Sequence, residues 1–413
     1  MNDMKAAVMA ARDHASAPLR LIWIQPGTLE DMLSAATYLD TTRELRELGC
    51  RVTLVAPGIP GPRQIRGVDV LCLPQPDIYF FRQLIFHLHA LRFVLAQRHQ
   101  ADIVLIREVS VIWLLPLLFL RLIGGFRPRI VADTRSVPMA VATRGNIRLQ
   151  LRSAFFGLSN RLSNWWADGR TAITRRMADT VNIPQRKLWG VWPSGVNLAL
   201  FATAAADRHW PDDTEPIELI YIGSMEPERN LLTFCRAVVA ANMRGAGLRF
   251  RIIGDGEQRQ QLADFARASE GWIEVLPPVP HAQVPALLAK AHVGVLPFPN
   301  ELKFNVSSPV KLFEYMAAGL PILATKIDCH TDVLGNTECV FWAETADETG
   351  FVDALHAIAR SRRSLNAMGA LAAALAKAWT WCEAARKLLA ALEYGLKRTV
   401  FTPAPVERQA AEQ

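Results

Sequence analysis

The chain has 413 residues, a formal net charge of +7 at pH 7 and 51% hydrophobic residues. This length exceeds what one hydrophobic core usually supports, so we expect two domains, although length alone would allow three. The six cysteines form no C-x-x-C motif and no repeated Cys/His spacing, which indicates neither a zinc site nor a disulfide framework. Reduced thiols suit the cytoplasm, and the absence of an apolar run before Pro18 predicts neither a signal peptide nor an anchor.

Charge is unevenly distributed. Residues 1–200 hold 25 Lys and Arg against 14 Asp and Glu (+11), whereas residues 201–413 hold 21 against 25 (−4). Residues 121–187 carry thirteen basic residues and only three acids, interleaved with Phe155, Phe156, Trp165 and Trp166. This pattern is typical of a face that lies on anionic lipid, or of a solvated arginine-rich surface whose tryptophans are in the core. Both alternatives stay open, and we expect no nucleic-acid partner because no recognisable binding motif accompanies the charge.

The first half alternates strands and helices after a lead-in, residues 1–18, that we expect to be disordered. The predicted strands are 19–25, 52–56, 68–73, 103–106, 130–132 and 171–174, and the predicted helices are 33–48 and 79–98. The apolar run 111–120 falls short of the roughly 20 residues of a membrane span, which favours a buried helix. Open parallel sheets bind ligands at the carboxyl ends of their strands. Gly27, Arg107, Asp133 and Arg135 follow predicted strands and are candidate acceptor-side residues, although Asp133 and Arg135 also suit structural turns.

The second half repeats the alternation after a proline-containing linker, residues 202–216. The predicted strands are 217–222, 248–253, 272–276, 293–296 and 321–324, and the predicted helices are 230–243, 257–267, 283–290, 309–318, 350–360 and 364–396. We therefore expect an N-terminal doubly wound Rossmann-like α/β domain over 19–201 and a C-terminal one over 217–385. A returning helix, 386–400, and a loose tail, 401–413, follow.

One segment, SSPVKLFEYMAAGLP at 307–321, is typical of a phosphate-binding helix N-terminus. Ser308 is predicted to cap the helix, Pro309 suits its first position, and Gly319 ends it. Lys311 lies in the first turn, where the helix dipole favours anions and a bound phosphate would explain a cation. Glu314 can accept hydrogen bonds from sugar hydroxyls. Taken alone, the segment is equally consistent with an ordinary amphipathic helix.

The extended segment SSPVKLFEYMAAGLPILAT resembles the donor-site helix of the retaining family-4 glycosyltransferases, which have the GT-B fold, and is similar to members that build bacterial polysaccharides and glycoconjugates. Three further segments resemble that family in the expected order: 217–230, with Arg229 as the diphosphate-binding cation; 250–257; and 275–298, which frames the nucleotide base. Residues 193–197 resemble its loop before the interdomain linker. The resemblance implies two Rossmann-like domains facing across a cleft, a closing helix that crosses back to the first, and a nucleoside-diphosphate-sugar donor. The implied donor-binding residues are Gly223, Arg229, Gly254, Asp255, Val279, Ser307, Ser308, Lys311 and Glu314.

The chain departs from the family pattern at two positions. Val306 stands where the first of two glutamates is common, and Ser224 stands where many relatives have arginine. The resemblance then implies catalytic roles for Arg229 and Lys311, on the diphosphate, and for Glu314, on the ribose. It implies transfer with retention from a UDP-sugar or GDP-sugar to a glycan, lipid-linked or small-molecule acceptor.

No cofactor or metal is expected, because the donor half has no D-x-D triplet and its histidines, His281, His292 and His330, are isolated. No G-x-G-x-x-G pattern supports a dehydrogenase. Two alternatives stay open: a nucleotide-sugar epimerase or hydrolase of the same fold, and a non-catalytic nucleotide-binding scaffold. We expect a cytoplasmic protein, with peripheral contact to the inner face of the membrane through the basic first half as a further expectation. The oligomeric state stays open.

Overall fold

The computed structural model describes residues 18–30, 32, 35–78, 81–137, 147–206 and 208–396, without the side chains of residues 148 and 149. The predicted tail and residues 1–17 of the predicted lead-in lie outside these residues. The chain divides into two compact units, the first made of Met1–Ala132 and Trp165–Gly169 and the second of Asp133–Asn164 and Arg170–Gln413. The domain boundaries expected from the sequence stay predictions.

The first sheet has eight strands in the order β3-β4-β2-β1-β5-β6-β7-β8. Its strands are β1 Arg20–Ile24, β2 Arg51–Pro57, β3 Gly61–Ile65, β4 Val68–Leu73, β5 Ile103–Arg107, β6 Arg129–Thr134, β7 Gly169–Ala172 and β8 Leu188–Val191. Strand β1 pairs in parallel with β2 and β5, so that Ile22 lies between Thr53 and Val104. Both faces of these central strands are covered, and their sequences are accordingly near-continuous apolar runs. The same runs predicted the strands from the sequence.

Strand β3 was not predicted. It pairs antiparallel with β4 at the edge of the sheet, and its sequence, GPRQI, is mostly polar and exposed. An edge strand tolerates proline and charge because one side of its backbone needs no partner. Arg66 and Gly67 both have positive φ, as the two-residue turn of a tight hairpin requires.

The helices that accompany these strands are α1 Ala35–Glu47, α2 Arg82–Ala96, α3 Leu115–Leu122, α4 Ile147–Trp166 and α5 Arg175–Thr180. The prediction of one buried helix at 111–120 is wrong in two respects, because the helix begins only at Leu115 and because Phe119 is exposed. A short 3-10 turn precedes α3, and Pro116 lies in the first turn of α3, where its missing N–H is tolerated. Leu117 and Leu118 are buried, whereas Phe119 and Leu122 are exposed. Among the helices of the described residues, none is both long and apolar enough to cross a bilayer.

The second sheet has six strands, all parallel, in the order β11-β10-β9-β12-β13-β14. They are β9 Ile217–Ile222, β10 Leu248–Ile253, β11 Ile273–Leu276, β12 Val293–Leu296, β13 Ile322–Thr325 and β14 Val340–Ala343, the last of which was not predicted. The strand order reverses between β9 and β12. Loops that leave the carboxyl ends of such a pair diverge and open a crevice, where doubly wound sheets bind ligands.

The helices of this half are α6 Leu198–Ala206, α7 Leu231–Asn242, α8 Arg259–Arg267, α9 Val284–Leu288, α10 Leu302–Asn305, α11 Val310–Ala317, α12 Asp328–Leu334, α13 Glu348–Arg360, α14 Leu365–Ala376 and α15 Trp381–Gly395. The single helix predicted at 364–396 is two helices, because the chain turns at 377–380 and the Thr380 hydroxyl caps α15 by accepting from the Glu383 N–H at 3.1 Å. Helix α15 packs closely on β8: a Cβ at Gly190 would lie 2.6 Å from the Cβ of Ala391.

Candidate donor site

Two glycine turns form the floor of the crevice in the second unit. Gly223, after β9, and Gly254, after β10, both have φ of +150°. A Cβ at Gly254 would lie 1.9 Å from the carbonyl oxygen of Gly223, and one at Gly223 would lie 2.2 Å from Cε of Lys311. Both positions therefore need glycine for backbone conformation and for space. The structure brings together residues that are predicted to bind the donor but are separated by up to 88 positions in the sequence.

Lys311 lies in the first turn of α11, over the Gly223 turn. Burial lowers the pKa of Lys311 to about 8, and the positive charge of Arg229 acts in the same direction, while Glu314 opposes it. Its Nζ lies 5.6 Å from the centre of the Tyr221 ring. Within the described residues, no carboxylate forms an ion pair with Lys311 or Arg229. The lysine is thus held in a site that disfavours its own charge.

Arg229 is the second cation, and aromatic rings hold it in place. Its Nε donates to the Ser224 hydroxyl at 3.2 Å, and its guanidinium carbon lies 5.1 Å and 5.3 Å from the ring centres of Phe298 and Phe304. Those rings stack on each other at 4.9 Å. The short Ser224 side chain, which departs from the family pattern, therefore orients Arg229. Stacking and one hydrogen bond fix the guanidinium and leave its other N–H groups to face an anion.

Glu314 lies one turn after Lys311 on α11 and contacts a residue that the sequence analysis had treated as isolated. The Nε2 atom of His281 lies 2.8 Å from Oε1 of Glu314, and both side chains are partly or mostly buried. His281 begins a short 3-10 turn two residues after Val279, which packs against the core of the second unit. No spacing signal links residues 33 positions apart, so only the fold reveals this pair.

The predicted cap of the donor helix is wrong. Helix α11 begins at Val310 with Pro309 at the N-cap position and no side-chain cap. The Ser308 hydroxyl instead accepts from the Ser194 N–H at 3.1 Å, which ties the 193–197 loop to the start of the helix. Because the cap is missing, backbone N–H groups of the first turn keep their capacity to bind an anion.

The two residues before Ser308 face apolar surroundings. Ser307 hydrogen-bonds the Cys329 thiol and opposes the effect of burial, which raises the pKa of that thiol to about 12. Val306 is buried, its carbonyl accepts from the Thr174 hydroxyl at 2.8 Å, and its side chain packs in a small core with residues 172–183 such as Met177. The position where the family pattern has its first glutamate is therefore part of a hydrophobic core.

Asp255 is exposed in the turn after β10. Its Oδ1 accepts from the Gly256 N–H at 3.0 Å, and its carbonyl accepts from the Met225 N–H at 2.8 Å. Gly256 is itself close to the Met225 backbone, because a Cβ there would lie 2.7 Å from it. The carboxylate of Asp255 thus shapes the turn beside the Gly223 loop.

Two of the four candidate acceptor-side residues belong to the second unit. Asp133 is buried at the end of β6 and its Oδ1 accepts from the Thr171 hydroxyl at 2.6 Å and the Trp192 indole at 2.9 Å. The guanidinium of Arg135 lies 3.7 Å from the centre of the Trp192 ring and donates to its carbonyl at 3.3 Å. Trp192, which the sequence analysis missed, therefore connects them. Their acceptor role stays a prediction.

The other two acceptor candidates lie in the first unit. A Cβ at Gly27 would lie 2.3 Å from Cε of Met32, and the guanidinium of Arg107 lies 3.5 Å from the carboxylate of Glu108. Both residues occupy carboxyl ends of strands, as predicted. No group of three or more His, Cys, Asp or Glu side chains within the described ranges is arranged to hold a metal ion, and metal independence stays a prediction.

Comparisons with known proteins agree with this geometry. Residues 216–361 match the family model described as "Glycosyl transferases group 1". A search of curated proteins found no match. The chain is similar to sucrose-phosphate synthase from Thermosynechococcus elongatus, at 16% identity and a TM-score of 0.69 over 92% of this chain and 98% of that one.

Two further solved structures are similar. The catalytic domain of starch synthase IV from Arabidopsis thaliana, bound to ADP and acarbose, shares 12% identity and a TM-score of 0.66 over 93% of this chain and 100% of that one. HepE of Anabaena, in complex with UDP, shares 11% identity and a TM-score of 0.64 over 91% of this chain and 99% of that one. The predicted GT-B fold is confirmed, and so is the resemblance of the donor half to glycosyltransferases.

Proposed function

We propose that this protein transfers a sugar from a UDP-sugar or GDP-sugar donor to a glycan, lipid-linked or small-molecule acceptor. The premise is that the chain has the GT-B fold and that its residues 216–361 match group 1 glycosyltransferases. The transfer retains the anomeric configuration, needs no metal ion, and serves cell-surface polysaccharide or glycoconjugate synthesis at the cytoplasmic side of the membrane. The observation that carries the proposal is the convergence of two cations, Lys311 and Arg229, without a carboxylate ion pair in the described residues.

The two cations fit the leaving diphosphate. Burial, and to a smaller extent repulsion from Arg229, lowers the pKa of Lys311, so an anion between the two cations would relieve an existing cost. When the bond between the anomeric carbon and the phosphate oxygen breaks, negative charge accumulates on the diphosphate. Lys311, Arg229 and the first-turn N–H groups of α11 would stabilise that charge without a metal ion. No side chain is assigned as a nucleophile.

Glu314 fits the ribose. A carboxylate accepts two hydrogen bonds from vicinal hydroxyls, and the contact with His281 fixes its rotamer before the donor arrives. His281 is a positioning residue in this scheme. The backbone near Val279, two residues before His281, would then frame the base.

Metal independence rests on the same two cations, since they supply the charge that a divalent ion would otherwise supply. Turnover should therefore be unchanged in excess EDTA. The alternatives make different predictions. An epimerase or hydrolase of this fold would convert the donor without any acceptor, and a scaffold would bind nucleotide and convert nothing.

The test is equilibrium binding of UDP, GDP, ADP and their sugar conjugates in EDTA, followed by turnover with acceptor extracts. The variants are Glu314→Ala and Lys311→Ala, and Lys326→Ala is the matched control, because Lys326 is an exposed lysine that pairs with Glu344 at 2.9 Å outside the site. We expect one nucleotide to bind to wild type and control, with affinity about tenfold to a hundredfold weaker in each site variant. Equal binding by all four proteins would refute the assignment of the site.

A further inference from the structure

Helix α4 exposes an apolar stripe to solvent. The exposed residues recur at the spacing of one helical face and include Ile147, Leu151, Ala154, Leu158 and Trp165. Ile147 and Trp165, near the two ends of the helix, are 70% and 73% exposed. Residues three, four and seven positions apart lie on one side of a helix. The outward side of α4 therefore exposes large apolar side chains near both ends and in the middle, with Arg161 among them.

The inward side of the same helix mixes polar and apolar residues, since Phe156 packs against the small core formed with residues 172–183. Ser159 and Ser163 are completely buried. Asn160 donates to the Val181 carbonyl at 2.7 Å, and Asn164 donates to the Asn182 carbonyl at 2.9 Å. A surface helix ordinarily keeps its large apolar residues on the side that faces the core, with polar residues on the outward side. A contiguous apolar surface of this kind marks an interaction site, because exposing it to water is unfavourable.

The charges around the stripe are positive. Arg152 and Arg161 are exposed on α4, and residues 147–166 contain no acidic residue. The acids of the surrounding segment have partners: Asp133 is buried and accepts hydrogen bonds, Asp168 pairs with arginines, and Asp179 pairs with Arg175 at 3.2 Å. The surface thus combines apolar side chains with uncompensated cations.

More exposed apolar surface lies in the first unit, near the end of α4. The exposed residues at the end of α3 are Phe119, Leu122 and Ile123. Arg121, in the same turn, donates to the Asp168 carboxylate, three residues after Trp165. This ion pair connects the end of α3 to the chain that leaves α4, both in the first unit. The alternative that places the tryptophans in the core is therefore wrong for Trp165.

We infer that the outward face of α4 lies on an anionic lipid bilayer. Its apolar side chains would enter the boundary between headgroups and acyl chains, Trp165 would occupy the interface, and Arg152 and Arg161 would contact lipid phosphates. A second copy of the chain fits this face less well. A two-fold interface sets the face against itself, and the helix has no carboxylate to pair with its own arginines. The inference deepens the proposed function, since it names the surface that would bring the enzyme to a lipid-linked acceptor.

The test is co-sedimentation of the full chain with vesicles of phosphatidylcholine alone, or of equal parts phosphatidylcholine and phosphatidylglycerol, without donor or acceptor. The variant is Leu158→Glu/Arg161→Glu. Its matched control is Met243→Glu/Arg244→Glu, which changes an exposed apolar residue and an exposed arginine after α7. Thermal unfolding and nucleotide binding are measured on the same samples. They show whether the variants fold and whether the donor site works, so the two proposals can fail separately.

We expect the wild type and the control to bind anionic vesicles and to leave neutral ones in the supernatant. The α4 variant should bind anionic vesicles at least about tenfold more weakly, because it loses an interfacial apolar group and replaces a positive charge by a negative one. Equal binding by variant and wild type, or no binding by the wild type, would overturn the inference. So would a wild-type dimer in light scattering that the α4 variant splits into monomers, because that result would assign the face to a second copy.

Discussion

Replacing Lys311 by methionine should make the ligand-free protein more stable and the donor site weaker. The ordinary lysine pKa of 10.5 falls to about 8 in the fold because of burial, with the nearby Arg229 charge adding to the effect. A base whose folded pKa lies below its unfolded value destabilises the fold wherever it is charged. This cost is fully present below about pH 8 and disappears as the pH rises above 10.5. The difference corresponds to a cost on the order of 3 kcal/mol at neutral pH.

Methionine keeps the length of the side chain over the Gly223 turn and removes its charge. Below pH 8, Lys311→Met should raise the midpoint of thermal unfolding by several degrees, since about 2–4 °C accompany each kcal/mol in a unit of 150–250 residues. The advantage should vanish as the pH approaches 10.5. Binding of the preferred nucleoside diphosphate should weaken about tenfold to a hundredfold, because one charge-assisted contact is lost.

The assay is differential scanning fluorimetry across this pH range together with calorimetric titration of UDP and GDP. Lys326→Met is the control, since Lys326 is exposed and forms an ion pair with Glu344, and its removal should change stability by no more than about 0.5 kcal/mol. A Lys311→Met protein that unfolds at a lower temperature than the wild type at pH 7 would refute the reasoning. It would mean that the lysine charge stabilises the fold without a bound anion.

Substitutions at four further positions test the site and its support. Gly223→Ala places a Cβ 2.2 Å from the lysine side chain above it and should reduce nucleotide affinity at least tenfold while far-ultraviolet circular dichroism is unchanged; unaltered affinity would contradict the proposed floor. His281→Ala should weaken nucleotide binding about threefold to tenfold by freeing the Glu314 carboxylate, whereas His281→Gln should restore part of it, as titration calorimetry would show. Arg208→Leu removes donors to the carbonyls of Leu288, Ala291, Ala318 and Gly319 and should lower stability by about 3–5 kcal/mol, and a shift of the unfolding midpoint below one degree would speak against this. Val306→Glu should destabilise the protein by several kcal/mol instead of increasing turnover, because it buries a carboxylate; a stable and faster variant would be the contrary result.

The second sheet was largely predictable from the sequence because its strands are short apolar runs between glycine and proline signals. Every strand predicted from 217 to 324 is present, and Gly319 ends α11 at φ +68° as expected. The strands that were missed, β3, β8 and β14, lie at sheet edges. Strand β3 is mostly polar, and β8 and β14 are only four residues long and partly buried, so none of the three has the long apolar run of a central strand.

The site was predictable to the extent that its chemistry lies in local motifs. Lys311, Glu314 and Arg229 follow glycine turns or begin a helix, and the structure brings all three together. Contacts between distant segments were not predictable. Two such contacts are the one between His281 and Glu314 and the hydrogen bond from the Ser194 N–H to the Ser308 hydroxyl. Both depend on which loops are adjacent in the fold. No periodicity or spacing encodes such a choice.

The candidate site disfavours its own positive charge, and this explains several of its residues together. Lys311 is charged although burial and the nearby Arg229 charge both disfavour its charged form. Arg208 offsets part of the cost at the other end of α11, where its guanidinium donates to the last carbonyls of the helix at 2.8 Å. A cation at that end complements the helix dipole, while the first turn stays without a capping side chain. An anionic ligand at the first turn would therefore complete the helix electrostatically, which ties the stability of the second unit to occupancy of its donor site.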